Sequence, residues 1–261
     1  MTRLRALAVL MAGGLAACST KAAPVATATF APRQRAQIVH ILRDAMRKDP
    51  TILRDAIVVL QADNDRIERQ AQRSAIANRA NVLFDAGDPF VGNAHAGVTI
   101  VEFFDTRCPY CRQLAPMLER FVSKDGNVRL VYKDFPILGP ASELGSRALL
   151  AAQRQGRYED LRSLLMAKSS SDLTENSLRE TAQDLGLDWP RLQRDMNSAD
   201  VGRKIAANKN LAQALGIDGT PTIVIGEKIV EGADIATIAA AVANARHDRS
   251  KLSVGMSTSR N

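Results

Sequence analysis

The chain has 261 residues, of which 46% are hydrophobic and 4% are aromatic, and its formal net charge is +7. This length and apolar content suffice for one well-packed domain with appended segments. The charge is uneven, because residues 81–245 hold 18 basic and 21 acidic residues while the segments on either side are basic. A nucleic-acid enzyme usually carries its basic residues and aromatics on the folded body, so the composition argues against nucleic-acid partners. We expect solvated basic arms, which would favour an anionic membrane surface.

Residues 1–18 have the three parts of an export signal. Two arginines open the segment, apolar residues 4–15 follow, and a Leu-Ala-Ala motif precedes Cys18. The apolar part is too short to span a membrane. Leu-Ala-Ala-Cys resembles the bacterial lipobox, in which the cysteine is acylated and becomes the mature N-terminus. We therefore expect lipidation at Cys18; the alternative is ordinary cleavage nearby, for example after Ala23, which would discard Cys18.

Export places the remaining cysteines in an oxidising compartment, the periplasm or cell envelope. Ser19, the residue after the lipobox cysteine, resembles signals that sort lipoproteins to the outer membrane. We therefore expect a lipid-anchored protein at the outer membrane that faces the periplasm. Residues 19–32, rich in Ser, Thr and Ala with two prolines, are predicted to be a tether.

Residues 33–84 predict a helical arm. Asp49-Pro50 is typical of a helix N-cap followed by proline at the first helical position, so two helices are expected. In the second helix, positions 53, 57, 60, 64 and 67 follow alternating steps of four and three and hold Leu, Ile, Leu, Asn and Ile. They form a heptad seam that becomes polar toward its end, with Asn64 where a polar residue could fix the register. Two interpretations stay open: homo-oligomerisation through residues 33–80, or one amphipathic helix that packs on its own domain.

The chemistry is concentrated in Cys108-Pro109-Tyr110-Cys111. The motif follows the apolar run Val98–Phe104, which predicts a buried strand, and precedes a helical pattern. Unpaired N–H groups and the macrodipole at a helix start favour negative charge. We therefore expect Cys108 to be an accessible thiolate with a pKa below the free value of about 8.5. Cys111, one turn later and less exposed, is the expected resolving thiol.

Other uses of a C-x-x-C motif are a zinc site and a structural disulfide. Zinc needs two more ligands, and only Cys18 and the scattered His40, His95 and His247 are available. We expect no metal and no separate cofactor, with the Cys108–Cys111 disulfide as the redox group.

Glu102 lies six residues before Cys108 on the predicted buried strand. Burying an unpaired carboxylate is costly, so its presence requires an explanation. One hypothesis is a proton acceptor of raised pKa beneath the cysteines, which assists deprotonation of Cys111. The alternative is that Glu102 faces a polar pocket or pairs with a lysine.

The second half of the chain predicts few chemical groups. A strand is expected at 127–135, followed by an almost wholly helical segment, 140–216, in which we find no catalytic constellation. Thr220-Pro221 then precedes a hairpin over 223–231, and a proline there belongs at a strand start or in a cis peptide. A last helix is predicted at 233–245, and a disordered polar tail from His247.

This order of elements resembles the thioredoxin fold in its DsbA-like version, an α/β fold with an all-helical insertion, here over residues 85–246. The resemblance implies that Pro221 is cis and lies against the active-site disulfide, and that Thr220 offers its backbone to the substrate. It also implies that Pro109 and Tyr110 contact substrate, and that Glu102 is the buried acid of the family. The arm together with Cys-Pro-Tyr-Cys and Tyr-Lys-Asp-Phe-Pro resembles the ScsC and Com1 branch, although a lipobox departs from its freely soluble members.

The expected activity is thiol–disulfide exchange in exported proteins that contain thiols or disulfides. Tyr110 has no charge, whereas a histidine there would place a cation beside the thiolate, so we expect a less oxidising couple. With an oligomerising arm, this favours an isomerase or reductase over a dithiol oxidase, and the resemblance implies a membrane-bound redox partner. A different class, a copper-binding protein that uses two soft thiolates, is disfavoured because the methionines are dispersed.

Overall fold

The computed structural model describes residues 30–168 and 173–258, and for residues 249–258 it describes the backbone course alone. The predicted signal segment, Cys18 and the tether up to residue 29 lie outside the described residues. The chain forms two compact units, one that ends at Gln61 and one that begins at Ala62.

The first unit consists of helix α1, Pro32–Lys48, and the first turns of helix α2, Thr51–Ala77. The predicted hydrogen bond between them is present, since Asp49 Oδ1 accepts from the backbone N–H of Thr51 at 3.0 Å, but α2 starts at Thr51, one residue later than predicted, and Asp49 is the C-cap of α1. The seam residues are exposed: Leu53 by 53% and Leu60 by 63%. Within residues 30–168 and 173–248, no segment buries these side chains.

The second unit is built on a five-stranded mixed sheet in the order β1-β3-β2-β4-β5. The parallel pair β2 and β3 lies at its centre, and every other pairing is antiparallel. Strand β1 was missed by the sequence analysis, since it has only three residues in a stretch rich in Asp, Gly and Pro. The strands are β1 Phe90–Gly92, β2 Val98–Phe104, β3 Val128–Asp134, β4 Thr222–Ile225 and β5 Lys228–Glu231.

Helices cover both faces of this sheet, and the predicted all-helical insertion is confirmed as α5 to α9. The helices are α3 Ala80–Leu83, α4 Pro109–Asp125, α5 Pro140–Gln153, α6 Tyr158–Ala167, α7 Glu175–Asp184, α8 Trp189–Met196, α9 Ala199–Ala214 and α10 Ile235–Thr258.

Alternate residues of β2 face two separate cores, because successive side chains of a strand point to opposite faces. Ile100 and Phe104 lie in the larger core with α4 and the insertion, while Phe103 lies in the smaller one. Ile76 and Leu83 pack into that smaller core. This face of the sheet is therefore covered in part by the end of the predicted arm, which precedes the expected domain start at residue 85.

A buried charge cluster fixes the same segment to the sheet. Lys133 of β3, fully buried, donates to the carbonyl of Val82 at 2.6 Å and forms an ion pair with the buried carboxylate of Asp88. Lys204 of α9 approaches the other oxygen of Asp88 at 2.5 Å and Asp85 at 3.1 Å. The segment from Val82 to Asp88, which leads into the sheet, is thus fixed to β3 and α9 by ion pairs and a hydrogen bond.

Helix α10 is longer than predicted. The disordered tail expected from His247 is helical backbone as far as Thr258. No proline or glycine occurs between residues 246 and 254, so nothing in that stretch interrupts a helix. Arg246 also pairs with Asp125 at the end of α4, which fixes the helix at the point where the prediction ended it.

Two glycines inside helices provide a matched test of how closely the insertion packs on the active-site loop. A Cβ on Gly145 of α5 would lie 2.5 Å from Thr106 Oγ1, whereas a Cβ on Gly202 of α9 would meet nothing closer than 3.8 Å. We expect Gly145→Ala to lower the free energy of unfolding by about 1–3 kcal/mol through overpacking. Gly202→Ala should raise it by about 0.5–1 kcal/mol through helix propensity.

Chemical denaturation of the two variants beside the parent chain measures both effects. Shifts of the same sign in the two denaturation midpoints would contradict the close packing of α5 on Thr106.

Candidate active site

The two cysteines occupy the first turn of α4. Cys108 is the N-cap residue, with extended backbone angles of φ −67° and ψ 121°, and Pro109 is the first helical residue. The carbonyl of Cys108 already accepts a helical hydrogen bond from the N–H of Arg112 at 3.1 Å. The predicted placement, at the turn from a buried strand into a helix, is confirmed.

Asp105, which the sequence analysis did not single out, shapes the loop before Cys108. It is fully buried, and its Oδ1 accepts from the backbone N–H of Arg107 at 2.7 Å. Its Oδ2 accepts from the N–H groups of Ile137 and Leu138 at 2.8 and 3.0 Å. The Arg107 side chain joins the same two segments, since it donates a hydrogen bond to the carbonyl of Leu138 at 3.1 Å. The loop is therefore fixed to the connection between β3 and α5.

The loop before β4 covers the first cysteine. The Thr220–Pro221 peptide is cis, as the resemblance implied, and the Thr220 carbonyl oxygen lies 3.2 Å from Cys108 Sγ. Cys108 is only 4% exposed, so the expectation of an accessible sulfur is wrong in this structure: the Thr220 loop and Cys111 surround it. Pro109 and Tyr110 are exposed beside it, and the Tyr110 side chain is the most open, at 62%.

The surroundings of Cys108 favour the thiolate. The pKa of Cys108 is lowered to about 5, first because the Cys111 thiol donates a hydrogen bond to the sulfur. The Thr220 side chain and the backbone N–H groups of Cys111 and Tyr110 act in the same direction, while burial opposes them. Orphan N–H groups at a helix start supply this kind of stabilisation.

The second sulfur has the opposite environment. Cys111 is fully buried, and burial raises its pKa far above the ordinary value. Its hydrogen bond to the Cys108 sulfur and the negative charge of Glu102 raise that pKa further. Two thiols one turn apart thus differ strongly in proton affinity, which is the asymmetry that an attacking and a resolving thiol require.

Glu102 lies on β2 with no exposed surface. Its Oε2 accepts a hydrogen bond of 3.0 Å from Nη2 of Arg162, and within the described residues no hydrogen-bond partner faces its Oε1. Burial raises the pKa of Glu102 to about 6, against the positive charge of Arg162. The carboxylate is therefore paired, as in the alternative interpretation, although its partner is an arginine and not a lysine. Its negative charge also raises the pKa of Cys111, which agrees with the hypothesis of a proton acceptor beneath the cysteines.

Arg162 is a second residue of this site, beside Asp105, that the sequence pattern did not reveal, since it lies in segment 140–216, where the sequence shows no catalytic constellation. Its position contains a detectable signal. The buried residues of α6 are Tyr158, Leu161, Arg162, Leu165 and Met166, which follow the helical repeat of an apolar face. An arginine within such a face requires a buried anion as partner.

A protein-family model, described as a DSBA-like thioredoxin domain, matches residues 99–243. The chain belongs to that family. The match extends from β2 into α10, and it contains both cysteines, Glu102, Arg162 and Pro221.

Several known proteins are similar to this chain. A thioredoxin-like oxidoreductase from Silicibacter pomeroyi is 42% identical, with a TM-score of 0.61, and the match covers 64% of this chain and 97% of that one. ScsC of Proteus mirabilis in a transitional conformation is 28% identical, with a TM-score of 0.61, over 85% of this chain and 99% of that one. The Na(+)/H(+) antiporter NhaA 3 of Salinispora tropica is 28% identical, and the match covers 68% of this chain but only 30% of the antiporter.

Three further findings concern the part of the DSBA-like chain that the structure describes. Among residues 30–168 and 173–258, no three or more His, Cys, Asp or Glu side chains lie close enough together to hold a metal ion. Over the same part of the chain, no helix combines the length and the apolarity that a membrane span needs. Cys108 and Cys111 are both free thiols in this structure.

Alkylation measures the thiolate of this DSBA-like site directly. The rate at which iodoacetamide modifies Cys108 should rise with pH around a midpoint near the Cys108 pKa of about 5. Cys111→Ala removes the hydrogen-bond donor that lowers this pKa most, so the midpoint should move upward. Cys111→Ser keeps an O–H donor and should move it less.

Mass spectrometry of the modified cysteine, with Cys108→Ala as the blank, provides the measurement. A midpoint near the free value of about 8.5 would contradict a stabilised thiolate.

Proposed function

We propose that the chain is a thiol–disulfide oxidoreductase of the cell envelope, which exchanges disulfides in exported proteins through Cys108 and Cys111. The observation that carries the proposal is the contrast between two sulfurs one turn apart. Cys108 has a pKa lowered to about 5, and Cys111 has a pKa raised by burial. At neutral pH the first is a thiolate and the second is a thiol that must lose a proton before it reacts.

The first step is attack of the Cys108 thiolate on one sulfur of a substrate disulfide. The substrate S–S bond breaks, one substrate sulfur leaves as a thiolate, and the other forms a mixed disulfide with Cys108. Glu102 then accepts the proton of Cys111, whose thiolate attacks Cys108 Sγ and releases the second substrate sulfur. The chain is then oxidised and the substrate reduced. The same steps in reverse introduce a disulfide into a substrate dithiol.

Substrate would be bound beside Cys108 by the exposed Pro109 and Tyr110 and by the backbone of Thr220. Support for this comes from the placement of Thr220, whose carbonyl oxygen lies 3.2 Å from the reacting sulfur and whose side chain is half-buried at the same edge. An extended substrate segment that pairs with this backbone would bring its own sulfur toward Cys108 without requiring any particular side chain.

In our proposal the chain acts as an isomerase or reductase and not as a dithiol oxidase. Tyr110 adds no cation beside the thiolate. Homo-oligomerisation through the arm is supported by the apolar side chains of α1 and α2, which stay exposed on the single chain, Ile57 by 45% and Leu60 by 63%. Two active sites held on one oligomer could act on the same misfolded substrate.

The alternative direction, a dithiol oxidase, is favoured by one observation. A Cys108 pKa of about 5 means that the reduced form is stabilised at neutral pH, and a stabilised reduced form makes the couple more oxidising. The same two cysteines and the same proton acceptor would serve either direction.

The proposed location rests on the sequence. The lipobox at Cys18 would anchor the chain at the outer membrane, on the periplasmic side, where exported substrates are available. A membrane-bound redox partner would then restore the dithiol or the disulfide after each turnover.

Reactivation of a scrambled-disulfide substrate tests both the chemistry and the role of the arm. The full chain should reactivate it, and Cys108→Ala should not. A version that starts at Ala62 keeps Ile76 and Leu83 in the core. We expect it to lose isomerisation at least several-fold while it keeps dithiol reduction, because it lacks the seam from Leu53 to Leu60.

A full-length Leu53→Asp/Leu60→Asp variant controls for chain length, and it should behave like the truncated version. Equal isomerisation by all three chains, each a monomer by light scattering, would contradict the proposed role of the arm. A full chain that oxidises reduced substrate faster than it reactivates scrambled substrate would favour the oxidase.

A further inference from the structure

A buried arginine bridges two carboxylates beneath the cysteines. Arg162 has no exposed surface; its Nη2 lies 3.0 Å from Glu102 Oε2 and its Nη1 lies 2.7 Å from Glu119 Oε1. Glu102 is equally buried, whereas a third of the Glu119 side chain is exposed. The guanidinium therefore connects the buried acid of β2 with a partly solvated acid of α4.

Aromatic rings hold this guanidinium in one orientation. It lies 4.0 Å from the ring centroid of Tyr132 and 4.9 Å from that of Phe104, distances at which a cation is attracted to the ring face. Arg162 comes from α6, inside the helical insertion, while both rings come from the central strands β2 and β3. The insertion thus supplies the counter-charge for an acid that belongs to the sheet.

The bridge matters to the chemistry because of where Glu102 stands. A carboxylate without exposure and without a cation would take up a proton and stay neutral. A neutral Glu102 could not accept the proton of Cys111. The cation beside it opposes that protonation, while the negative charges nearby promote it.

We propose that Arg162 is a positioning residue that keeps Glu102 ionised, so that Glu102 can accept the Cys111 proton in the resolving step. The proposal rests on the exchange function proposed above. In the step it concerns, the S–H bond of Cys111 breaks, the proton moves to Glu102, and the electron pair stays on sulfur to attack Cys108 Sγ. Arg162 gains and loses no proton, because a guanidinium remains charged at any working pH.

Charged groups on the elements around Glu102 determine how readily it loses its proton. Arg162 favours the ionised form, whereas Glu119 and Glu159 oppose it. Strand β4, which pairs with β2 at this level, adds only the uncharged Ile223. The groups that face Glu102 are Arg162 and Glu159 from α6, Glu119 and Cys111 from α4, and Tyr132 from β3. Removing Arg162 and removing the charge of Glu119 should therefore act in opposite directions.

Reaction of the reduced full chain with 5,5′-dithiobis(2-nitrobenzoate) in a stopped-flow spectrometer separates the two chemical steps. The first release of thionitrobenzoate reports attack by Cys108, and the second reports attack by Cys111 on the mixed disulfide. The pH dependence of the second phase should show a midpoint near the Glu102 pKa of about 6. Glu102→Gln should abolish that midpoint.

Arg162→Met should move the midpoint of the second phase upward by about 1–3 pH units, the usual effect of losing an adjacent opposite charge. The second phase at pH 6 should then slow by about fivefold if the midpoint moves by one pH unit and by about fiftyfold if it moves by two. Arg162→Lys, which keeps the charge without the fork, should bring the midpoint part of the way back. Glu119→Gln should move the midpoint downward.

The control is Arg154→Met. Arg154 also bridges two carboxylates, Asp195 at 2.8 Å and Asp200 at 3.2 Å, but neither belongs to the site. It should leave both phases unchanged. A purely structural role for Arg162 would lower stability without moving the pH midpoint, and an unmoved midpoint in Arg162→Met, Arg162→Lys and Glu119→Gln overturns the proposal.

Should Arg162→Met fail to fold, Glu119→Gln decides the question, since its partly exposed side chain can lose its charge in an intact protein. Failure of the proposed function has a different signature. In that case the first phase itself would be no faster than that of an unstructured peptide thiol, whatever residue stands at position 162.

Discussion

The feature on which the site depends is the placement of Cys108 at the N-cap of α4. There the sulfur meets helix N–H groups that have no intrahelical partner, together with the thiol of Cys111. The same turn places Cys111 inside the core, where burial favours the neutral form. One turn of helix thus gives two chemically identical groups opposite proton affinities. Thiol–disulfide exchange uses that difference, because the attacking sulfur must be ionised while the resolving sulfur stays protonated until the mixed disulfide has formed.

The second feature is the pairing of charge inside the sheet. Two strand residues that face opposite cores, Glu102 and Lys133, are ionisable and fully buried, and each has an opposite charge from a helix or a preceding segment. Such pairs contribute little net stability, since desolvation offsets attraction. Their common effect is to fix neighbouring segments. Lys133 ties the segment after the arm to β3, and Glu102 ties the helical insertion to β2.

These ties show that residues on both sides of the expected domain start at residue 85 pack on the same sheet. The sheet has two apolar faces, and an exposed face would be unstable in water. Helix α4, most of the insertion and α10 cover one face, while the end of α9 packs on the other. Residues from the end of α2 and from α3 help to cover the other, so the catalytic unit includes part of a helix that also carries the exposed seam.

The sequence by itself determined the features that depend on neighbouring residues along the chain. The strand before the cysteines, the helix after them, the helices of the insertion and the Thr-Pro turn follow from apolar periodicity, caps and the backbone limits of proline. Tertiary structure alone decided which distant residues meet. Thr220 covers Cys108 and Arg162 pairs with Glu102 across long sequence separations, and the start of the domain depends on which apolar residues reach the second face. Periodicity reports which side of a helix is buried; it contains no information about what lies opposite, because that depends on how the whole chain packs.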